Sequence, residues 1–251
     1  MSIEQYYRNI AEMTLQNVIS ETRKFLEKAK IEEGHGINHS LAVLNHANLA
    51  LACTTLKLDS DKILTIRLAC VLHDVDDHKF FKQATGAGTK SFQNARNMMT
   101  LGRVDPDLIE QVVAMIGLVS CAINGNQVDP DVKEYMLYPR IADRLEAIGE
   151  IGIERALSYG KHVNRPLHDE NTEIALAEED LDKIATADRF RDYRNGLNHS
   201  NTTIGHFYDK ILHIGKYENF GITNDYFKEE ARKRNAVVRK YIIDYWTSVL
   251  N

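Results

Sequence analysis

From Ile63 to Leu72 the chain is apolar on almost every side of a helix, and within five more residues it turns to His73, Asp74, Asp76 and Asp77. A helix that is apolar all round belongs in the middle of a core, packed by other helices. Ile63, Ile66, Leu68, Ala69, Val71 and Leu72 carry the pattern, and Asp59 or Ser60 is placed to cap its start. The polar cluster at its far end is costly to bury unless something charged is held there.

The remaining pattern is helical as well. Only four prolines occur in 251 residues, and alternation of β-branched residues is scarce, which predicts an all-α protein. Tyr7, Ala11, Leu15, Val18, Phe25 and Ala29 recur at three- and four-residue steps and predict a helix over residues 3–30, with Thr22 filling the one gap. A second helix is expected from Asn38, a candidate N-cap, to about Leu56. Asp105-Pro106 starts a helix running to about Val119, and Asp129-Pro130 repeats that signal. After Pro139 one helix is expected to carry Ile141, Leu145, Ile148, Ile151 and Ile153. Gly149 and Gly152 within it point to close packing, since glycine costs a helix about 1 kcal/mol relative to alanine.

Residues 160–200 are polar, with Asn164-Arg165-Pro166 and Asn195-Gly196 as turn signals, and read as an insertion holding a short helix over Glu178–Arg191. Two last helices are expected over 203–215 and 224–249. The stripe Phe227, Tyr241, Tyr245 and Trp246 is core or a homodimer interface. Residues 83–91, with two glycines, are either a lid or a plain surface loop. With no linker of domain-boundary character, the reading is a single domain, a helical bundle over residues 1–251.

A net charge of −5 argues against a general nucleic-acid or membrane-surface binder. No apolar run approaches the roughly 20 residues of a membrane span. Cys53, Cys70 and Cys121 form no CxxC pair, lie in apolar surroundings and read as buried free thiols; with no signal-like N-terminus this predicts a cytoplasmic protein.

His73 and Asp74 are candidate metal ligands. Neighbours on a regular helix diverge by about 100°, so both reach one ion only at a helix end or an irregularity. Further ligands must come from other helices: His39 opens the second helix, and Asp143 lies early in the helix after Pro139. Each of these residues alone is commonplace. Two histidines with two carboxylates suit one borderline divalent ion, Mn²⁺, Zn²⁺, Fe²⁺ or Ni²⁺, and not Ca²⁺.

The pattern His39…His73-Asp74…Asp143 resembles the HD superfamily of metal-dependent phosphohydrolases, all-helical proteins. Four stretches are similar to a bacterial subfamily of YedJ- and YpgQ-type proteins within it: His39 to Val43, Leu72 to Lys79, Ala142 to Ile153 and His206 to Leu212. The chain departs from that pattern at Ala42, where the family often has Arg, and at Ile141, where it tends to have Asp.

The resemblance implies a single-domain HD bundle and a divalent ion, Mn²⁺ first, with Mg²⁺ also admissible. It implies hydrolysis of (deoxy)nucleoside triphosphates to monophosphate and pyrophosphate by metal-activated water. Asp74 and Asp77 are then the catalytic carboxylates, Asp77 orienting or deprotonating the water, with a capping role as its alternative. Lys79, Lys82, Arg144, Lys210 and His206 are the expected substrate contacts, and Arg144 has a structural ion pair as its alternative. A nucleotide monophosphatase, a phosphodiesterase or a non-catalytic nucleotide-binding module are the other functions open to this fold. The implied partner is a small nucleotide, with no membrane and no nucleic acid.

Overall fold

The computed structural model describes residues 2–31, 35–77, 81, 91–197, 199–217 and 220–251. In chain order the helices are α1 (Ile3–Ala29), α2 (Ile37–Ala52), α3 (Ser60–Leu72), α4 (Gln93–Leu101), α5 (Pro106–Val119), α6 (Cys121–Asn124), α7 (Tyr138–Leu145), α8 (Gly149–His162), α9 (Glu178–Ile184), α10 (Ala187–Arg194), α11 (Thr203–His206), α12 (Leu212–Ile214) and α13 (Asp225–Leu250). A 3-10 turn, Glu134–Leu137, precedes α7, and a π-helix, Phe207–Ile211, joins α11 to α12. No strand occurs among the described residues, so the fold is all-α. No described helix is long and apolar enough to cross a membrane.

The chain forms two compact units. One comprises Met1–Ser120 with Pro130–Asp143, the other Cys121–Asp129 with Arg144–Asn251.

In the first unit α3 is the central element. It packs against α1, α2 and α5, and Leu64, Thr65, Ile66 and every residue from Leu68 to Leu72 are buried. Asp59 caps it by accepting from the Lys62 N–H at 2.8 Å. Burial of apolar side chains at about 25 cal/mol per Å² is what holds this helix inside. On α1 the buried stripe is Leu15, Val18, Ile19, Thr22 and Leu26, while Tyr7 and Ala29 of the expected face stay exposed.

Several boundaries differ from the sequence expectation. The N-cap of α2 is Gly36 rather than Asn38, and the helix stops at Ala52. Thr54 ends it: its hydroxyl accepts from the Leu56 N–H at 3.2 Å and bonds the Tyr138 hydroxyl at 2.8 Å, which turns the backbone away. Asp129-Pro130 opens a turn, not a helix, a geometry that the same dipeptide favours equally. The helix expected after Pro139 is two helices, broken at Ile148-Gly149, where Gly149 takes φ +74°. Only glycine adopts that region at low cost. Gly152 does mark a close approach, since a Cβ there would fall 2.4 Å from the Ala147 carbonyl oxygen.

In the second unit α8 and α13 pack together, and α9 lies on α13. Residues 160–200 hold two short helices rather than one. Thr186 separates them by accepting from the Arg189 N–H at 3.2 Å, capping α10. Trp246 is buried on α13, and its indole N–H donates to the Tyr208 hydroxyl at 2.8 Å. All three cysteines are free; Cys70 is buried, but Cys53 is exposed and Cys121 half-buried, so the expectation of three buried thiols holds for one.

Candidate metal centre

The site is built at the end of α3. The helix closes at Leu72, and His73 keeps helical angles as its C-cap. Two tight turns follow, with the Val75 N–H on the Leu72 carbonyl at 3.3 Å and the Asp77 N–H on the Asp74 carbonyl at 3.0 Å. This tightened end swings His73 and Asp74, which a regular helix would splay, toward one point. His39 arrives from the first turn of α2 and Asp143 from α7. All four belong to the first unit.

His73 Nδ1 donates to the Cys70 carbonyl at 2.8 Å, which fixes the ring and turns Nε2 inward. His73 Nε2 lies 3.2 Å from His39 Nε2, 3.4 Å from Asp74 Oδ2 and 3.5 Å from Asp143 Oδ1. His39 Nε2 lies 3.2 Å from Asp143 Oδ1 and 3.8 Å from Asp74 Oδ2. The donor atoms of His39, His73 and Asp74 all fall within 4.8 Å of one another, and Asp143 joins through the two imidazoles.

Nitrogen and oxygen donors hold such an ion at about 2.0–2.2 Å, which sets donor–donor edges of about 3 Å for cis octahedral and about 3.4 Å for tetrahedral ligands. The observed edges sit at and slightly above those lengths. The residues present therefore fit a divalent ion.

The electrostatics say the same. Burial disfavours the His73 imidazolium, but Asp74 and Asp143 outweigh it and hold this histidine well above its ordinary value. Burial likewise disfavours both carboxylates, yet His73 and His35 hold Asp74 well below the carboxylate range, and His39 and His73 do the same for Asp143. The cluster demands a positive charge, which a proton or a metal ion can supply.

Around it, Asp77 is half-buried just beyond the second turn, and its side chain is placed by that turn and not by a continuing α3. Lys79, Lys82 and His78, with residues 83–90, lie outside the described residues. His35, one of the extra histidines flanking the pattern, bonds Asp74 Oδ2 through Nδ1 at 2.9 Å. The sequence signal for it is its position four residues before His39.

The second unit holds the other expected contacts. Arg144 is 1 % exposed and donates to Asn126 Oδ1 at 2.7 Å, to the Ile214 carbonyl at 3.3 Å and to the Gly125 carbonyl, with Phe220 stacked 5.0 Å from its guanidinium carbon. That is a structural commitment, made to carbonyls instead of the acidic partner weighed from sequence. Lys210 rides on the π-helix and lines a cleft of about 200 Å³ with Phe190, Tyr193, Arg194 and His199. His206 meets the Tyr193 ring edge-on at 5.5 Å. Burial, with Lys210 and Arg165, pushes it down to about 3, so it is a neutral packing residue at physiological pH.

No protein-family model matches the chain. It is 36% identical over 251 residues to the uncharacterized protein L803 of Acanthamoeba polyphaga mimivirus, spanning 95% of this chain and 96% of that one. An HD-superfamily hydrolase from Bacillus thuringiensis superposes with a TM-score of 0.61 at 19% identity, over 94% of this chain and 96% of its own. Bacillus subtilis YpgQ, solved in complex with ADP, superposes with a TM-score of 0.61 at 16% identity, over 95% and 96% of the two chains. The chain thus belongs to one family with the mimivirus protein, and its fold is that of the HD-superfamily hydrolases and of YpgQ.

Proposed function

We propose that this protein is a metal-dependent phosphohydrolase that cleaves (deoxy)nucleoside triphosphates to monophosphate and pyrophosphate. The observation that carries the reading is the convergence of His39 Nε2, His73 Nε2, Asp74 Oδ2 and Asp143 Oδ1 with donor–donor edges of 3.2–3.8 Å. A divalent ion held there, Mn²⁺ first, supplies positive charge to a phosphoryl oxygen and acidifies water. The ADP bound to YpgQ supports a nucleotide as the ligand of this fold.

The chain's own residues then divide the work. His39, His73, Asp74 and Asp143 hold the ion. Asp77 orients the attacking water and receives its proton, a role that needs it within hydrogen-bond reach of that water. Lys79 and Lys82, following closely in sequence, neutralise phosphate charge.

The test is product analysis. Protein stripped of metal and reloaded with Mn²⁺ is offered nucleoside and deoxynucleoside triphosphates and monophosphates. Pyrophosphate released from triphosphates is the expected result. Orthophosphate from monophosphates moves the protein to a nucleotidase, and nucleotide binding without turnover under any divalent ion overturns the enzyme reading.

A further inference from the structure

His35 stands in the connection between α1 and α2, one residue before the N-cap Gly36, which offers no side-chain cap of its own. From there its Nδ1 reaches Asp74 Oδ2 at 2.9 Å, and its ring lies edge-on to His39, centroids 6.1 Å apart. One side chain thus touches two of the four donor residues, and those two come from different elements.

The chemistry of this contact is specific. A carboxylate only accepts, so His35 Nδ1 carries the hydrogen and donates it. Asp74 Oδ2 is also the oxygen that faces His73 Nε2 at 3.4 Å and His39 Nε2 at 3.8 Å. When both of those nitrogens point their lone pairs at an ion, neither donates to Asp74. Among the described residues His35 is then the remaining side-chain donor to that carboxylate. It also acts where backbone regularity does not, because Asp74 lies past the last residue of α3.

We propose that His35 is a positioning residue of the metal centre: its Nδ1–H holds Asp74 Oδ2 in the orientation that binds the ion, and its ring buttresses His39. The inference rests on the metal-centre reading above. Groups that orient a ligand in this way typically change metal affinity by about 10–100-fold when removed.

The test measures Mn²⁺ affinity by chelator competition, together with the melting temperature of the metal-free protein. His35→Ala and His35→Phe remove the donor, the second keeping a ring. His35→Asn places an amide N–H where Nδ1 was. The expected result is affinity weakened by about 10–100-fold in the Ala and Phe variants and largely restored in Asn, whatever happens to the metal-free melting temperature. Unchanged affinity in His35→Phe, or an Asn variant as weak as Phe, overturns the inference. If the unaltered protein itself fails to retain Mn²⁺, the metal centre falls, and that outcome is distinct from tight binding that ignores position 35.

Discussion

Two acids, the buried Asp209 and the half-buried Asp74, one in each unit, are satisfied in opposite ways. Asp209 in the second unit accepts from Arg189 Nε at 2.6 Å, the Ser200 N–H at 2.8 Å and the Ser200 hydroxyl at 3.0 Å. Asp74 in the first unit faces three histidine nitrogens, at 2.9, 3.4 and 3.8 Å. The histidines repeat the contrast. Burial pushes His206 down to about 3 and His213 to about 4, whereas His73, just as enclosed, is raised by its carboxylates. Asp209 is closed by donors of its own unit. The first unit brings the donor atoms of four residues together around a point where a positive charge, a proton or a metal ion, is called for. Such an arrangement persists when a cation sits among them.

The comparison breaks most sharply at Asp74. Asp74→Ala is expected to abolish Mn²⁺ retention and phosphohydrolysis while far-UV circular dichroism stays helical. The loss of affinity should exceed the roughly 100-fold upper range of residues that only orient a ligand. A variant that keeps full activity removes the site from this end of α3.

Asp209→Ala should behave in the converse way. Removing one partner of a buried, hydrogen-bonded ion pair costs about 3–5 kcal/mol. Asp209 is 2 % exposed, and Arg189 keeps Glu173 at 2.7 Å as a second partner, which places the expected loss at the lower end, about 3 kcal/mol in urea denaturation. Mn²⁺ affinity of the folded fraction should be unchanged. A variant that keeps its stability and loses metal would mean that the two acids do not differ in kind.

The third effect is a dependence on pH with opposite signs for two histidines, one in each unit. His73 has a raised value in the folded protein, so its stabilising charge is complete below the ordinary histidine value of about 6.5 and is lost as pH rises through the raised value. His206 has a lowered value, so the unfolded chain takes up a proton first, and stability is lost as pH falls from about 6.5 toward about 3. Each arm changes by at most about 1.4 kcal/mol per pH unit per group. In metal-free protein both arms should appear in denaturation curves taken across pH. Mn²⁺, which replaces the proton on His73, should flatten the alkaline arm and leave the acid arm in place. An acid arm that responds equally to Mn²⁺ would sink the assignment of these histidines to separate roles.

What could be read from sequence follows from the range of the forces involved. The buried helix ending in His73 and Asp74 is legible because burial on all sides and the cap at Asp59 are local patterns, as is the Asp105 cap of α5. The geometry of the donors was legible only as a requirement, that the helix must end or tighten at His73. The tight turns at Val75 and Asp77 are how the chain meets it. By contrast, α4 carries only Ala95, Met98 and Met99 as buried residues, and its cap is supplied from far away in the chain. The i, i+3, i+4 spacing of those three residues is too short a run to mark a helix by itself. The π-helix at Phe207–Ile211 is equally silent, because one residue more per turn leaves the apolar spacing nearly intact. Arg144 shows the limit for single side chains: its sequence neighbours are the candidate ligand Asp143 and Leu145, but its partners are carbonyls at positions 125 and 214 and the amide of Asn126.

The smallest expected effect tests where the metal turn stops being chemistry. Asp76 is two residues beyond Asp74, and composition alone would count it among the ligands. Its carboxylate instead accepts from the Asn94 N–H at 3.0 Å and the Ala95 N–H at 2.9 Å, in the first turn of α4. Phe92, the N-cap of that helix, has φ 44° and contributes no side-chain cap, so Asp76 does its work from 19 residues away. Asn94 returns the contact through its amide to the Val75 carbonyl at 2.9 Å. Burial raises Asp76 above the ordinary carboxylate value in spite of the two N–H donors, unlike the lowered Asp74. Asp76→Ala should therefore cost about 1 kcal/mol, the usual worth of an N-cap, and change Mn²⁺ affinity by less than about tenfold, the low end for residues that support a ligand. If this variant instead loses metal as completely as Asp74→Ala, Asp76 is a ligand. The first unit would then leave five donor residues converging on the ion and α4 without its cap.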